Sequence, residues 1–130
     1  MLLDTSGLMC LHDVDEPFHA LAHEYFDAAA DWITHSYILA EFVAVANSRG
    51  LDRRAALQFV AHVPFYHHVT TVWVDEKLHD DAVRLLEARL DKSYSLCDAV
   101  SFVLMRRGGF REALTTDRHF EQEGFIRLLK

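Results

Sequence analysis

Short apolar runs alternate with helix-length segments along this chain, and that alternation constrains its fold more than any other feature. Met1-Leu2-Leu3 reads as a short strand running into the turn Asp4-Thr5-Ser6-Gly7. Val69 to Val74 is the clearest strand, being rich in β-branched residues. Trp32-Ile33-Thr34, Glu112 to Thr115 and Phe125 to Leu129 read as further strands. Between them the apolar residues recur at helical spacing, as in Phe18, Leu21, Ala22, Tyr25, Phe26 and Ala29. Pro17 suits the first turn of that helix. Ser36 is placed to cap a helix that stops at Gly50, and Asp52 one that ends before Pro64. Further helices are expected from about Asp75 to Leu90, from Ser95 to Gly108-Gly109, and from Asp117 to about Glu123. Short strands alternating with helices predict an α/β fold with a parallel sheet covered on both faces.

The chain has 130 residues, enough for one domain over 1–130 with a real core, and no linker or repeat divides it. No signal-peptide pattern precedes Asp4, and no apolar run approaches the length of a membrane span, so a soluble, cytoplasmic protein is expected. Thirteen basic against twenty acidic residues give a net charge of −7. That balance excludes a coat that holds nucleic acid by bulk attraction, which rests on Lys and Arg meeting phosphates. It leaves room for an acidic site whose charge is offset by bound cations. Cys10 and Cys97 lack metal or redox spacing and read as buried thiols.

Two acidic residues have neighbours unsuited to a solvated face. Glu41 interrupts Tyr37-Ile38-Leu39-Ala40 and Phe42-Val43-Ala44-Val45-Ala46, and Asp98 lies within Leu96-Cys97-Asp98-Ala99-Val100. A lone carboxylate on an apolar helix needs a partner, either a cation or a buried arginine such as Arg49 or Arg53. Asp4 and Asp117 each follow a short apolar strand, and sites in open parallel sheets form at the carboxyl ends of strands. Four carboxylates in one cleft would repel one another without divalent cations or raised pKa values. Mg²⁺ and Mn²⁺ both suit oxygen donors of this kind. Each residue also has a local reading: Asp98 with Ser95 as a capping box, Asp117 as a helix cap, Asp4 in a turn with Ser6.

Leu3-Asp4-Thr5-Ser6, Glu41, Leu96-Cys97-Asp98-Ala99 and Leu114-Thr115-Thr116-Asp117-Arg118-His119-Phe120 together resemble, in order and spacing, the PIN-domain nucleases, above all the VapC-type toxins of toxin–antitoxin pairs. The likeness runs the length of the chain, and Thr-Thr-Asp-x-x-Phe after the Asp98 helix is its most specific part. It implies a three-layer α/β/α sandwich with a sheet of four to five short strands ordered 3-2-1-4-5. It also implies a ribonuclease using Mg²⁺ or Mn²⁺ and leaving a 5′-phosphate and a 3′-hydroxyl. Asp4 and Asp98 would be the main metal ligands, with Glu41 and Asp117 ligating directly or through water. Ser6 and Thr116 are placed to bind water or a phosphate oxygen. The implied partners are an antitoxin and a second copy of the chain.

Other readings meet specific obstacles. A haloacid-dehalogenase-type phosphatase needs a second Asp where Ser6 stands, and a receiver domain needs adjacent acidic residues by its first strand. A non-catalytic PIN-like module that binds RNA or protein, and a housekeeping nuclease without antitoxin, stay open as alternatives. Nine histidines raise zinc, but His23-Glu24-Tyr25-Phe26-Asp27 is not a metalloprotease motif and no third ligand is spaced for it. Arg53-Arg54, Arg106-Arg107, Arg111 and Arg118 read as solvated helix ends or as phosphate contacts. Phe18, Tyr25, Phe26, Phe59, Phe65 and Tyr66 read as core or as a groove for a partner helix.

Overall fold

The computed structural model describes residues 1–130. Five strands form one parallel sheet: β1 (Leu2–Leu3), β2 (Trp32–His35), β3 (Val69–Val72), β4 (Glu112–Leu114) and β5 (Ile126–Arg127), in the order β3-β2-β1-β4-β5. Seven helices connect them: α1 (Thr5–His12), α2 (His19–Ala28), α3 (Ser36–Ser48), α4 (Arg53–His62), α5 (Glu76–Glu87), α6 (Leu96–Gly108) and α7 (His119–Gln122). A 3₁₀ turn spans Val63–Phe65.

β1 has only two residues, yet it sits at the centre of the sheet. Leu2 is opposite Ile33 on one side and Ala113 on the other, and Leu3 is opposite Leu114. Successive strand residues face opposite sides of a sheet. Leu2, Leu3, Ala113 and Leu114 are all buried, so helices cover both faces and the α/β/α sandwich is complete. The main core gathers Trp32, Phe42, Phe102 and Phe120, and a smaller one of Leu78, Ala82, Ala99 and Val100 forms where α5 packs on α6. Gly109, at φ 71°, supplies the left-handed residue that ends α6.

Several boundaries differ from the sequence expectation. Thr5-Ser6-Gly7 reads as a turn but opens α1, because packing outweighs the poor helix propensity of these residues. Gly7 lies so close to β4 that a Cβ there would stand 2.1 Å from the Leu114 carbonyl oxygen. α2 starts at His19 rather than at Pro17. His35, not Ser36, caps α3: its Nδ1 accepts from the Ile38 N–H at 3.3 Å, while Ser36 Oγ accepts from the Val74 N–H at 2.9 Å and ties the exit of β3 to α3. Pro64 falls inside the 3₁₀ turn, at a helix start where its missing N–H costs nothing.

Two of the nine histidines, His19 and His23, serve packing. His19 Nδ1 donates to the Cys10 carbonyl at 2.7 Å and His23 Nε2 to the Leu11 carbonyl at 2.9 Å, which pins α2 to the end of α1. Phe26, Phe59 and Tyr66 line a small apolar cavity of about 50 Å³ with Leu8, Leu11 and Val63, whereas Phe65 is 85% exposed. No helix is long and apolar enough to cross a membrane.

Candidate active site

The chain runs outward from β1 through β2 to β3, then returns to the other side of β1 with β4 and β5. The strand order therefore reverses between β1 and β4, the place where open α/β sheets form a crevice beyond the carboxyl ends of their strands. Asp4 follows Leu3 there, and Thr115-Thr116-Asp117 follow Leu114, its neighbour in register. α3 brings Glu41 to the same edge and the first turn of α6 brings Asp98. All four carboxylates line one open cleft of about 280 Å³, with Ser6 and Thr116 on its wall.

Hydroxyls order the floor of this cleft. A hydroxyl has one proton to give, and the contacts run in one direction. The Thr116 N–H donates to Ser6 Oγ (2.9 Å), Ser6 to Thr115 Oγ1 (3.0 Å), and Thr115 to Asp4 Oδ2 (2.7 Å). The Asp117 N–H also donates to Thr115 Oγ1, at 3.0 Å. Thr116 enters through its backbone, and the buried side chain that holds Asp4 belongs to Thr115. Asp4 is itself buried. Burial pushes its carboxyl up to about 7; the Thr115 hydrogen bond opposes the rise, and repulsion from Asp98 and Glu41 adds to it.

Asp98 completes a capping box: its N–H donates to Ser95 Oγ at 3.0 Å, and its Oδ2 accepts from the Ser95 N–H at 3.1 Å. The cap and the cleft position coexist, since the box fixes the rotamer that faces the cleft. His119 Nδ1 donates to the same Oδ2 at 2.9 Å and lies 3.4 Å from Asp117 Oδ2. Asp117 Oδ1 accepts from the His119 N–H at 2.9 Å, a local turn just ahead of α7 rather than the expected cap, since the N-cap of α7 is Arg118. Ligand atoms of Asp98, Asp117 and His119 all lie within 4.8 Å of one another.

The Glu41 side chain makes no hydrogen bond and no ion pair, although its backbone is part of α3. The arginine partners that its setting suggested are engaged elsewhere: Arg49 with Glu16, and Arg53 with Asn47 Oδ1 at 3.4 Å. No Lys or Arg pairs with any of the four carboxylates. Four carboxylates, two of them (Asp4 and Asp98) buried, supply oxygen donors and negative charge that fit a hard divalent cation by their chemistry. Cys97, beside this cluster, is no nucleophile: burial and the neighbouring carboxylates push its thiol far above the physiological range.

Thr115 and His119 belong to this site, though neither was singled out from sequence. Thr115 is masked by the adjacent Thr116, and only the register of β4 against β1 decides between them. His119 carries a findable signal, standing two residues after Asp117 at the start of α7.

The arrangement is that of a PIN domain, and residues 1–125 match this family: the chain belongs to it. Within the family it stands with the VapC-type nucleases. Ribonuclease VapC26 of Mycobacterium tuberculosis is 33% identical over 124 residues, covering 92% of this chain and 89% of that protein. The 23S rRNA-specific endonuclease VapC20 of the same organism is 26% identical over 127 residues, covering 97% and 95%. The crystal structure of M. tuberculosis VapC20, described as a sarcin-ricin loop cleaving toxin, superposes with a TM-score of 0.87 over 96% of this chain and 95% of that chain.

Proposed function

We propose that this protein, as one nuclease domain over residues 1–130, hydrolyses RNA phosphodiester bonds with Mg²⁺ or Mn²⁺, as the toxin of a toxin–antitoxin pair. The observation that carries the reading is the meeting of Asp4, Glu41, Asp98 and Asp117 in one cleft with no Lys or Arg paired to any of them. Family membership and the printed activities of the relatives support RNA as the substrate. An antitoxin partner, a homodimer and a cytoplasmic setting accompany that reading.

Asp4 and Asp98 would be the main ligands of the cation, with Glu41 and Asp117 ligating directly or through water. When bound, such an ion acidifies a water molecule and offsets charge on the leaving 3′ oxygen. The chain's own residues prepare that chemistry. The Thr116–Ser6–Thr115 chain keeps Oδ2 of Asp4 occupied and holds its carboxyl in place on the cleft wall. His119 spaces Asp98 from Asp117. Ser6 and Thr116 border the place where a water or phosphate oxygen enters.

The test is cleavage of RNA with Mg²⁺ by purified Asp4→Asn and Asp98→Asn, beside wild type treated with EDTA and then resupplied with metal. Loss in both variants, and metal-dependent recovery in wild type, is expected. Full cleavage by both variants sinks the reading. Size-exclusion chromatography, alone and with a co-expressed partner, tests the assembly.

A further inference from the structure

The cleft has one cationic side chain on its wall, and it is not a residue that holds the carboxylates. Arg49 closes α3, with its backbone still helical at φ −82° and ψ −2°. Glu41, Val45 and Arg49 are spaced four residues apart, so they form one stripe along α3, and all three line the cleft. Eight residues of helix separate Glu41 from Arg49 by about 12 Å along the axis. Helical side chains lean toward the N-terminus, which carries the guanidinium back toward the carboxylates. Arg49 thus stands at one end of the cleft, beyond the four acids but continuous with them.

Five other arginines are held by carboxylates that do not line the cleft. Arg89 and Arg106 share Glu123, Arg84 and Arg107 share Asp81, and Arg127 meets Glu121. Arg118 is exposed and does not line the cleft. Arg49 has one partner, Glu16 in the turn between α1 and α2, which takes an NH1 hydrogen. A guanidinium has five N–H donors in a fixed fork. The contact with Glu16 therefore orients the group and leaves donors for a second anion. Its side chain is 49% exposed, against 21% for Glu16, so the free donors are open to solvent.

We propose that Arg49 binds a phosphate of the substrate strand flanking the scissile bond, with Glu16 steadying the guanidinium at the cleft rim. The inference rests on the ribonuclease reading above. It supplies what that reading lacks: a positive contact, in a protein of net charge −7, that sets which way the strand enters the acidic cleft. A bidentate guanidinium–phosphate contact is strong and directional, and lysine does not reproduce it.

The experiment uses the full chain with a fluorescein-labelled single-stranded RNA 20-mer of mixed sequence. Binding is read by anisotropy in the Asp98→Asn background with Mg²⁺, and cleavage in the otherwise wild-type protein, across a salt series. Arg49→Gln is expected to weaken binding about tenfold, in line with the loss of one charge-assisted contact. It should also flatten the log–log salt slope by about 0.7, the value for one phosphate on a single strand. In cleavage the loss should fall mainly on KM. Arg54→Gln, which removes an equal charge from an unpaired position outside the cleft, should change binding much less. Glu16→Gln, whose amide oxygen can still accept from Arg49 and so keep it oriented, should bind about as well as wild type.

Unchanged affinity and salt slope in Arg49→Gln overturn the proposal. So does a loss in Glu16→Gln equal to that in Arg49→Gln, which would make the pair only a brace between α3 and the α1–α2 turn. If wild type does not cut RNA, the ribonuclease reading fails instead, and the two failures are told apart.

Discussion

Thr115 Oγ1 donates to Asp4 Oδ2 at 2.7 Å, so one buried hydroxyl joins the ends of β4 and β1. A hydrogen bond to a carboxylate favours its charged form and holds its pKa down. Thr115→Val keeps the shape and removes the donor. Asp4 should then titrate above its present value of about 7. The acid limb of kcat/KM against pH is expected to move up by about one unit, the size of one lost hydrogen bond to a charged group. Thr115→Ser should bring it back. An acid limb that does not move in the valine variant would show that Asp4 ionisation does not govern it.

The same carboxyl costs the metal-free protein stability. Its folded pKa of about 7 lies above the ordinary value of 3.8, so the folded chain binds a proton that the unfolded chain releases between those two pH values. Stability is then lost as pH rises from about 4 to about 7, at up to about 1.4 kcal/mol per pH unit from this group. Asp4→Asn removes the term. In EDTA at pH 8 the variant should be more stable than wild type by a few kcal/mol in urea denaturation, and the gain should vanish near pH 4.

Gly7 makes the close approach of α1 to β4 possible. An added Cβ meets the Leu114 carbonyl oxygen, which also accepts the Asp4 N–H at 3.3 Å. Gly7→Ala is expected to destabilise the protein by about 2–3 kcal/mol, because backbone rather than a flexible side chain must give way. The shift of α1 would carry Asp4 with it. Cleavage under conditions where the variant is still folded should therefore fall as well.

His35 is buried and neutral at the junction of β2 and α3, and burial holds its pKa down to about 3. Its Nδ1 accepts from Ile38, so Nε2 carries the proton and donates to Ser101 Oγ at 2.8 Å; Ser101 in turn donates to the Cys97 carbonyl at 3.2 Å. Ser101→Ala leaves that imidazole N–H without a partner and should cost about 1–3 kcal/mol. The unfolded chain protonates this histidine below about 6.5 and the folded chain does not. Its contribution is therefore lost as pH falls from about 6.5 toward 3, opposite in sign to that of Asp4. A His35→Gln variant should lose less stability than wild type over that interval in parallel urea titrations.

Much of this was legible in the residues because two periodicities were strong. β-branched and apolar runs marked the strands, and the amphipathic spacing of α5 and the Gly109 stop of α6 marked helices. Glu41 and Asp98 stood out because a carboxylate among apolar neighbours is costly. α1 was not legible, since Thr5-Ser6-Gly7 favours a turn locally and becomes helix only through contact with β4, more than a hundred residues away. Thr115 was hidden for the same reason, since it owes its role to strand register. Arg49 stood out only as a partner for Glu41, and its choice of Glu16 instead is not written in local pattern.

Asp4 and Asp117 come from nearly opposite ends of the chain and meet only because β4 returns to lie beside β1. A growing polypeptide therefore carries Asp4 and Glu41 long before the second half of the cleft exists. The acids assemble only after β4 has been made and has docked, so a chain that stops short of β4 carries half a cleft.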